Sequence, residues 1–190
     1  MNPIDLPNIR NITVSGRIGS GATTLAHKLS EILGWQMLDG GKLFRAFTKD
    51  HGYARERDDQ FDLDYEENLK TTLKENSHQI IQSHLAGFDA QGIDSVFKIL
   101  LVCEDADGND KTDIRIDRLV NRDSVSIEEA KHEIRERDAQ NLEKWRRLYA
   151  NNDPDWVYWD KKYYDLVLNT YSHNPEESLH IALEKIGYKK

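Results

Sequence analysis

Cysteine, long apolar runs and a secretory signal are all scarce or missing in this sequence of 190 residues. The one cysteine, Cys103, excludes a disulfide within the chain and is compatible with a reducing compartment. It ends an apolar run that begins at Val96, which favours a buried, unreactive thiol over a nucleophile. That run is far shorter than the roughly 20 residues of a membrane helix, and the N-terminus has no basic-then-apolar signal pattern. These observations predict a cytoplasmic protein that does not enter a membrane.

Positive charge is also in short supply. The sequence has 26 lysines and arginines against 34 aspartates and glutamates, which gives a formal net charge of −8. Binding of a long nucleic acid depends on neutralising many phosphates, so this balance argues against such a partner. A few arginines and a helix N-terminus still suffice to hold a small anion. We therefore expect small-molecule ligands, and a monomer or weak homodimer.

The sequence does contain a regular alternation of short apolar segments and segments with helical spacing. Strands are predicted at residues 11–15, 35–38, 79–83, 96–103 and 165–170. Helices are predicted at residues 23–33, 40–47, 64–76, 113–122 and 126–150, with a last one that begins at about residue 174. This order predicts one α/β domain over residues 1–190, in which helices cover both faces of a five-stranded parallel sheet.

A glycine-rich segment lies between the first strand and the first helix. Its pattern, Gly16-x-x-x-x-Gly21-Ala22-Thr23, is that of a phosphate-binding (Walker A) loop, except that Ala22 stands where such a loop carries lysine. Glycines let the backbone approach a phosphate, and the helix that follows directs its positive end at the same place. A turn without a ligand is the alternative, but the position between strand and helix favours a site for the phosphates of ATP. Its predicted residues are Gly16, Arg17, Ile18, Gly19, Ser20, Gly21, Ala22, Thr23 and Thr24, with Thr23 as the Mg²⁺ ligand.

The missing lysine weakens this site without excluding it. A charge-assisted hydrogen bond contributes about 1.5–3 kcal/mol, and another cation can compensate for its loss. Arg17 lies inside the loop and is the first candidate substitute. Arginines further along the chain are the second. A protein that binds nucleotide without turnover remains the alternative hypothesis.

Further segments follow the loop in a characteristic order. They are Leu38-Asp-Gly-Gly-Lys-Leu-Phe-Arg45, Ser83-His-Leu-Ala-Gly-Phe88, Arg115-x-x-Arg118-x-x-x-Arg122, Ser126-x-Glu-Glu-Ala130, Arg137-Asp138 and Tyr164-Asp-Leu-Val-Leu-Asn-Thr170. Together with the loop, these segments resemble those of the cytidylate kinase-like nucleoside monophosphate kinases, in particular the short-lid archaeal type. The similarity covers nearly the whole chain.

The resemblance implies a P-loop kinase that transfers the γ-phosphoryl group of ATP, with Mg²⁺, to CMP or dCMP. It implies an acceptor-binding insert over about residues 39–90 and a short lid over about residues 122–137. The acceptor contacts would come from Asp39, Gly41, Arg45, Ser83 and His84. Arg118, Arg122 and Arg137 would stabilise the transferring phosphoryl group, together with Arg17 as the substitute for lysine.

Two further departures from the family pattern leave alternatives open. His84 stands where the family has an acceptor-binding arginine, so it is either an acceptor contact or a structural histidine. An acidic insert at residues 104–113 does not fit the EF-hand spacing and is interpreted as a solvated loop. Asp62 or Asp64 is interpreted as the N-cap of the helix at residues 64–76, with an acceptor contact as the less favoured alternative. A kinase for another small acceptor stays open, because the fold does not fix the substrate.

Overall fold

Five parallel strands form the centre of the molecule. The structure, a computed structural model, describes residues 2–42 and 59–189. Its strands are β1 (Asn11–Gly16), β2 (Gln36–Asp39), β3 (Gln79–Gln82), β4 (Val96–Val102) and β5 (Leu166–Asn169). They are ordered β2-β3-β1-β4-β5, and each neighbouring pair is parallel. The five-stranded parallel sheet predicted from the sequence is confirmed.

Helices connect the strands and cover the sheet. They are α1 (Ala22–Leu33), α2 (Asp59–Glu75), α3 (Ala86–Asp89), α4 (Thr112–Asp123), α5 (Ile127–Lys131), α6 (Asp138–Tyr149) and α7 (Pro175–Lys185). A π-helical segment, His132–Arg137, joins α5 to α6 without a break. The helix predicted at residues 40–47 begins at Gly40, and most of it lies outside the described residues.

The alternating side chains of the buried strands divide the core between the two faces of the sheet. Ile80 packs with Leu29 of α1 and Ala182 of α7 on one face. Its neighbour Ile81 packs with Leu73 of α2 on the other. Successive residues of a strand point to opposite faces, so an apolar strand such as β3 needs helices on both sides. This is the three-layer arrangement expected from the sequence.

Helix α5 starts with the capping box predicted from the sequence. The Ser126 side chain accepts a hydrogen bond from the Glu129 amide, and the Glu129 side chain accepts one from the Ser126 amide. Asn174 and Glu177 form the same arrangement at the start of α7. The N-cap interpretation of Asp62 or Asp64 is wrong, because α2 begins at Asp59 and both residues lie inside the helix.

Cys103 is buried, as predicted, and burial raises the pKa of its thiol. No helix in the described ranges is long and apolar enough to cross a membrane.

Aromatic side chains form a cluster between α6, α3 and the segment before β5. Its members include Phe88, Trp145, Tyr149, Trp156, Tyr158, Trp159 and Tyr163.

Candidate active site

One large cleft, of about 2040 Å³, lies at the carboxyl ends of the strands. Ligands of open parallel sheets bind at this edge. Every site residue predicted from the sequence lines the cleft, apart from Arg45, which lies outside the described residues. The structure thus brings together Gly16, Arg17, Ile18, Gly19, Ser20, Gly21, Ala22, Thr23, Thr24, Asp39, Gly41, Ser83, His84, Arg118, Arg122 and Arg137.

The glycine-rich loop has a backbone that only glycine adopts easily. Gly19 has a φ of 78° and Gly21 a φ of 95°, both in the left-handed region. A Cβ on Gly19 would lie 2.7 Å from the Arg115 carbonyl oxygen. Gly21 caps α1, and no side chain caps the amides of the first turn of this helix. The N-terminus of α1 therefore presents its positive end at the cleft.

Side chains from other elements hold the carbonyl groups of the loop. Arg115 Nη1 donates to the Ile18 carbonyl at 2.7 Å. Thr170 Oγ1, at the end of β5, donates to the Ser20 carbonyl at 2.9 Å. In a trans peptide the C=O and the next N–H point in opposite directions. The amides of Gly19 and Gly21 therefore point away from these donors, and both residues line the cleft.

Ala22 leaves a small apolar surface where the loop pattern calls for lysine. Ala22 is only 5% exposed and belongs to the core cluster that contains Leu25 and Leu29. No lysine is found among the described residues that line the cleft. Within residues 2–42 and 59–189, the basic side chains that line the cleft are arginines and histidines.

Arg17 is already engaged by carboxylates. Its Nε lies 3.0 Å from Asp138 Oδ2, and its Nη1 lies 3.3 Å from Asp110 Oδ1. The guanidinium also sits 4.6 Å from the centre of the Trp159 ring. Contact between Arg17 and a phosphate would require these pairs to be exchanged, so its role as substitute for lysine stays a prediction.

Sequence reasoning did not identify Asp110 and Asp138 as the partners of Arg17. Asp110 belongs to the acidic insert, where nothing in the pattern separates it from its acidic neighbours. The turn around Asp105 and Asn109 does face solvent, as predicted, but Asp110 pairs with Arg17 and Arg115. Burial raises the pKa of Asp110, but the hydrogen bonds from Arg115 and Thr112 outweigh this and lower the pKa overall.

The arginines of α4 and the lid differ in how firmly they are held. Arg118 donates to the Thr170 carbonyl at 2.6 Å and to Thr170 Oγ1 at 2.8 Å. Arg122 pairs with the adjacent Asp123, which raises the pKa of the guanidinium. Arg137 pairs with Glu133 one helical turn away, at 2.6 Å. All three line the cleft, and their contacts with a transferring phosphoryl group stay a prediction.

His84 connects the part of the cleft that Asp39, Gly41 and Ser83 line to the glycine-rich loop. Its Nδ1 lies 2.9 Å from the Gly16 carbonyl oxygen. Because a carbonyl only accepts, Nδ1 carries the proton in this contact. The ring packs against Trp145 and Tyr158, at centroid distances of 5.6 and 5.7 Å. His84 thus has a structural role and also lines the cleft, so the two alternatives for it do not exclude each other.

Gly40, beside Asp39 and Ser83 in the cleft, lies close to neighbouring side chains. A Cβ there would overlap the Tyr65 hydroxyl and lie 2.9 Å from the Ser83 Cβ. The Ser83 hydroxyl is buried and has no hydrogen-bond partner among the described residues. Asp39 Oδ1 accepts a hydrogen bond from the Lys42 amide at 2.8 Å. Ser83 and Asp39 are therefore available polar groups beside the loop.

Oxygen atoms at the same edge of the sheet suit a magnesium ion. Thr23 Oγ1 lies 3.3 Å from Gln82 Oε1, and Gln82 pairs with Asp39 in the register of β2 and β3. Hydroxyl, amide and carboxylate oxygens are the ligands that Mg²⁺ prefers, and it usually binds together with substrate phosphates. No group of three or more His, Cys, Asp or Glu residues that could hold a metal occurs in residues 2–42 and 59–189. The side chains present fit a metal that is shared with a nucleotide.

Solved structures share this fold. An uncharacterised protein from Eubacterium ventriosum superposes with a TM-score of 0.67 at 14% identity, covering 95% of this chain and 99% of the other. A gluconokinase from Sinorhizobium meliloti has a TM-score of 0.57 at 13% identity, covering 94% and 91%. At such low identity, these similarities establish the three-layer α/β fold alone.

Sequence relatives are more specific, although no protein-family model matches the sequence. The cytidylate kinase of Haloarcula marismortui is 32% identical over 182 residues, which covers 92% of this chain and 88% of the relative. The cytidylate kinase of Natronomonas pharaonis is 33% identical over 172 residues, covering 87% and 83%. Identity of this extent over most of both chains shows that the chain belongs to the cytidylate kinase family.

Proposed function

We propose that the protein transfers the γ-phosphoryl group of ATP to CMP or dCMP, giving ADP and CDP or dCDP. The observation that supports this proposal is that the glycine-rich loop and the uncapped start of α1 line the same cleft as the acceptor candidates. Membership of the cytidylate kinase family supports the choice of acceptor.

In this proposal the loop binds the β- and γ-phosphates of ATP through its backbone amides. Thr23, Gln82 and Asp39 would hold Mg²⁺, directly or through water. The metal, when bound, neutralises part of the phosphate charge. Phosphoryl transfer depends on positioning and charge neutralisation, so these groups need not form a covalent bond to the substrate.

The acceptor would lie on the other side of the cleft, against Asp39, Gly41, Ser83 and His84. Arg45 is proposed to hold its monophosphate, by the family resemblance alone. An oxygen of that monophosphate attacks the γ-phosphorus while the bond to the bridging oxygen of ADP breaks. Arg122 and Arg137 would neutralise the charge on the transferring group and help to exclude water.

We also propose that the protein is cytoplasmic and that it is a monomer or a weak homodimer.

The experiment that tests this function is ADP release from the purified protein with ATP, Mg²⁺ and each of CMP, dCMP, UMP and AMP. We expect CMP or dCMP to raise the rate at least tenfold above that with ATP alone. Faster turnover with UMP or AMP would overturn the acceptor assignment. ATP binding without turnover on any acceptor would instead favour the nucleotide-binding protein without catalysis, for which the replacement of lysine by Ala22 is the supporting observation.

A further inference from the structure

Arg115 contacts the glycine-rich loop from outside the cleft. Its side chain is 1% exposed and is not among the residues that line the cleft, so it does not reach a ligand there. It donates instead to the Ile18 carbonyl at 2.7 Å. A charged donor on this carbonyl fixes the peptide plane and thereby the direction of the Gly19 amide. Arg115 therefore determines the direction of a phosphate-binding group without touching the phosphate.

The acidic insert holds Arg115 in this position. Asp110 Oδ2 accepts hydrogen bonds from Arg115 Nη2 at 2.8 Å and from Arg115 Nε at 3.3 Å. Asp138 Oδ2 lies farther away, 3.7 Å from Arg115 Nη1. Two donors on one carboxylate oxygen restrict rotation of the guanidinium, so the Ile18 contact depends on Asp110.

The same carboxylate also engages Arg17. Asp110 Oδ1 lies 3.3 Å from Arg17 Nη1, while Oδ2 holds Arg115. One side chain thus ties a loop residue to the arginine that supports the loop. The loop lacks its own lysine, so its geometry depends on contacts of this kind.

We propose that Asp110 is a positioning residue for ATP binding, which keeps the loop in its phosphate-binding form by fixing Arg115. This inference rests on the proposed function, because it takes the loop as the site of the ATP phosphates. It assigns a role in the reaction to the acidic insert, which the sequence pattern had left as a solvated loop.

The test compares Asp110→Asn with Asp105→Asn. Both substitutions remove one carboxylate charge from the same insert, and the side chains are similarly exposed, at 25% and 27%. Asp105 accepts hydrogen bonds from the amides of Asp107 and Asn109 and does not contact the loop. The matched pair therefore separates support of the loop from the general effect of an acidic insert.

We expect Asp110→Asn to raise the Kd for a non-hydrolysable ATP analogue about tenfold, because a charge-assisted contact is lost. The KM for the acceptor should change less than twofold, and Asp105→Asn should leave both quantities unchanged. Equal Kd values for the two variants would overturn the inference. So would an equal rise in analogue Kd and acceptor KM, since that would indicate a general loss of structure.

Arg115→Lys and Arg115→Met give a second measurement, with thermal unfolding as a check that each variant folds. Lysine retains a charged donor and should restore part of the analogue affinity that methionine loses. Identical affinities for the two variants would contradict the role of the Ile18 contact. If Arg115→Met does not fold, the Asp110 comparison still decides the matter. Failure of the proposed acceptor in the nucleotide panel leaves these measurements valid, since they use the ATP analogue alone.

Discussion

The glycine-rich loop and the lid arginines, the two parts of the proposed phosphate site, are held in place by different kinds of contact. Carbonyls of the loop are held by Arg115, Thr170 and His84, which come from three different elements. Arg122 and Arg137 pair instead with carboxylates one residue and one helical turn away, and their side chains are 51% and 36% exposed. The loop is thus fixed by contacts from distant parts of the chain, whereas these two ion pairs of the lid arginines are local.

This difference indicates which groups must move when substrates bind. Exposed ion pairs contribute only about 0–1 kcal/mol, so Arg122 and Arg137 can exchange a local carboxylate for a phosphate at small cost. The loop has no such freedom, because its peptide planes are fixed by buried donors. We therefore expect substitutions behind the loop to change ATP affinity, and substitutions in the lid to change the rate of transfer.

The largest effect should come from Gly19→Ala. The new Cβ would lie 2.7 Å from the Arg115 carbonyl oxygen, and the φ of 78° is unfavourable for alanine. The loop must shift, which should lower kcat/KM for ATP about a hundredfold because the Gly19 amide no longer points at the phosphate. Steady-state kinetics with varied ATP provide the measurement.

Gly108→Ala is the matched control for this substitution. Gly108 also has a positive φ, of 83°, but a Cβ there meets nothing within 4 Å. It should lose about 1 kcal/mol of unfolding free energy and keep its kcat/KM for ATP. If both variants lost activity to the same degree, the loop would not be the rigid part of the site.

A smaller effect is expected from Arg137→Gln in the lid. The side chain lines the cleft, and loss of its charge should lower kcat about tenfold while the Kd for the ATP analogue changes less than threefold. Arg135→Gln is the control, since Arg135 is 59% exposed and lies outside the cleft lining. A shift in analogue affinity without a fall in kcat would show that the lid acts on binding and would contradict the comparison.

Most of the fold could be predicted from the sequence because hydrophobic spacing changes clearly between strands and helices. The apolar β4 and the capping boxes at Ser126 and Asn174 are local signals that tertiary structure did not override. The π-helical segment at His132–Arg137 was not predicted, because such segments are rare and short and the sequence has no turn or helix-ending residue there. The start of α2 at Asp59 was also not predicted, because the acidic residues of its first turn, such as Asp62, are typical of an N-cap and were interpreted as one.

The candidate site was predictable only where spacing along the chain carries the information. The loop glycines and Thr23 follow a fixed pattern, and they line the cleft together. The partner of Arg17, in contrast, is Asp138, which is 121 positions away in the sequence. Such pairs depend on how helices pack. The segment Arg137-Asp138 was recognised in the sequence, but nothing in it indicates that Asp138 pairs with Arg17. Ion pairs that support a site are therefore harder to predict than the residues that line it.

The smallest expected effect concerns the pH dependence of stability. Hydrogen bonds from Arg115 and Thr112 outweigh burial and lower the pKa of Asp110 below its ordinary value of 3.8. A carboxylate with a lowered pKa stabilises the fold above its unfolded pKa, and this contribution is lost as the pH falls through the folded pKa. Wild type should therefore exceed Asp110→Asn by about 1 kcal/mol of unfolding free energy at pH 7, and the difference should shrink below about pH 4.5.

Glu129→Gln tests the corresponding carboxylate at the start of the lid. Hydrogen bonds from the Ser126 side chain and amide lower the pKa of Glu129, so the sign of its pH dependence is the same as for Asp110. Glu129 is exposed, however, and solvent screens its interactions, so its substitution should have a smaller effect that weakens further in salt. Urea unfolding at about pH 7, 4.5 and 3.5 measures both differences. A larger effect for Glu129 than for Asp110 would mean that the lid, and not the support of the loop, is the more firmly held region.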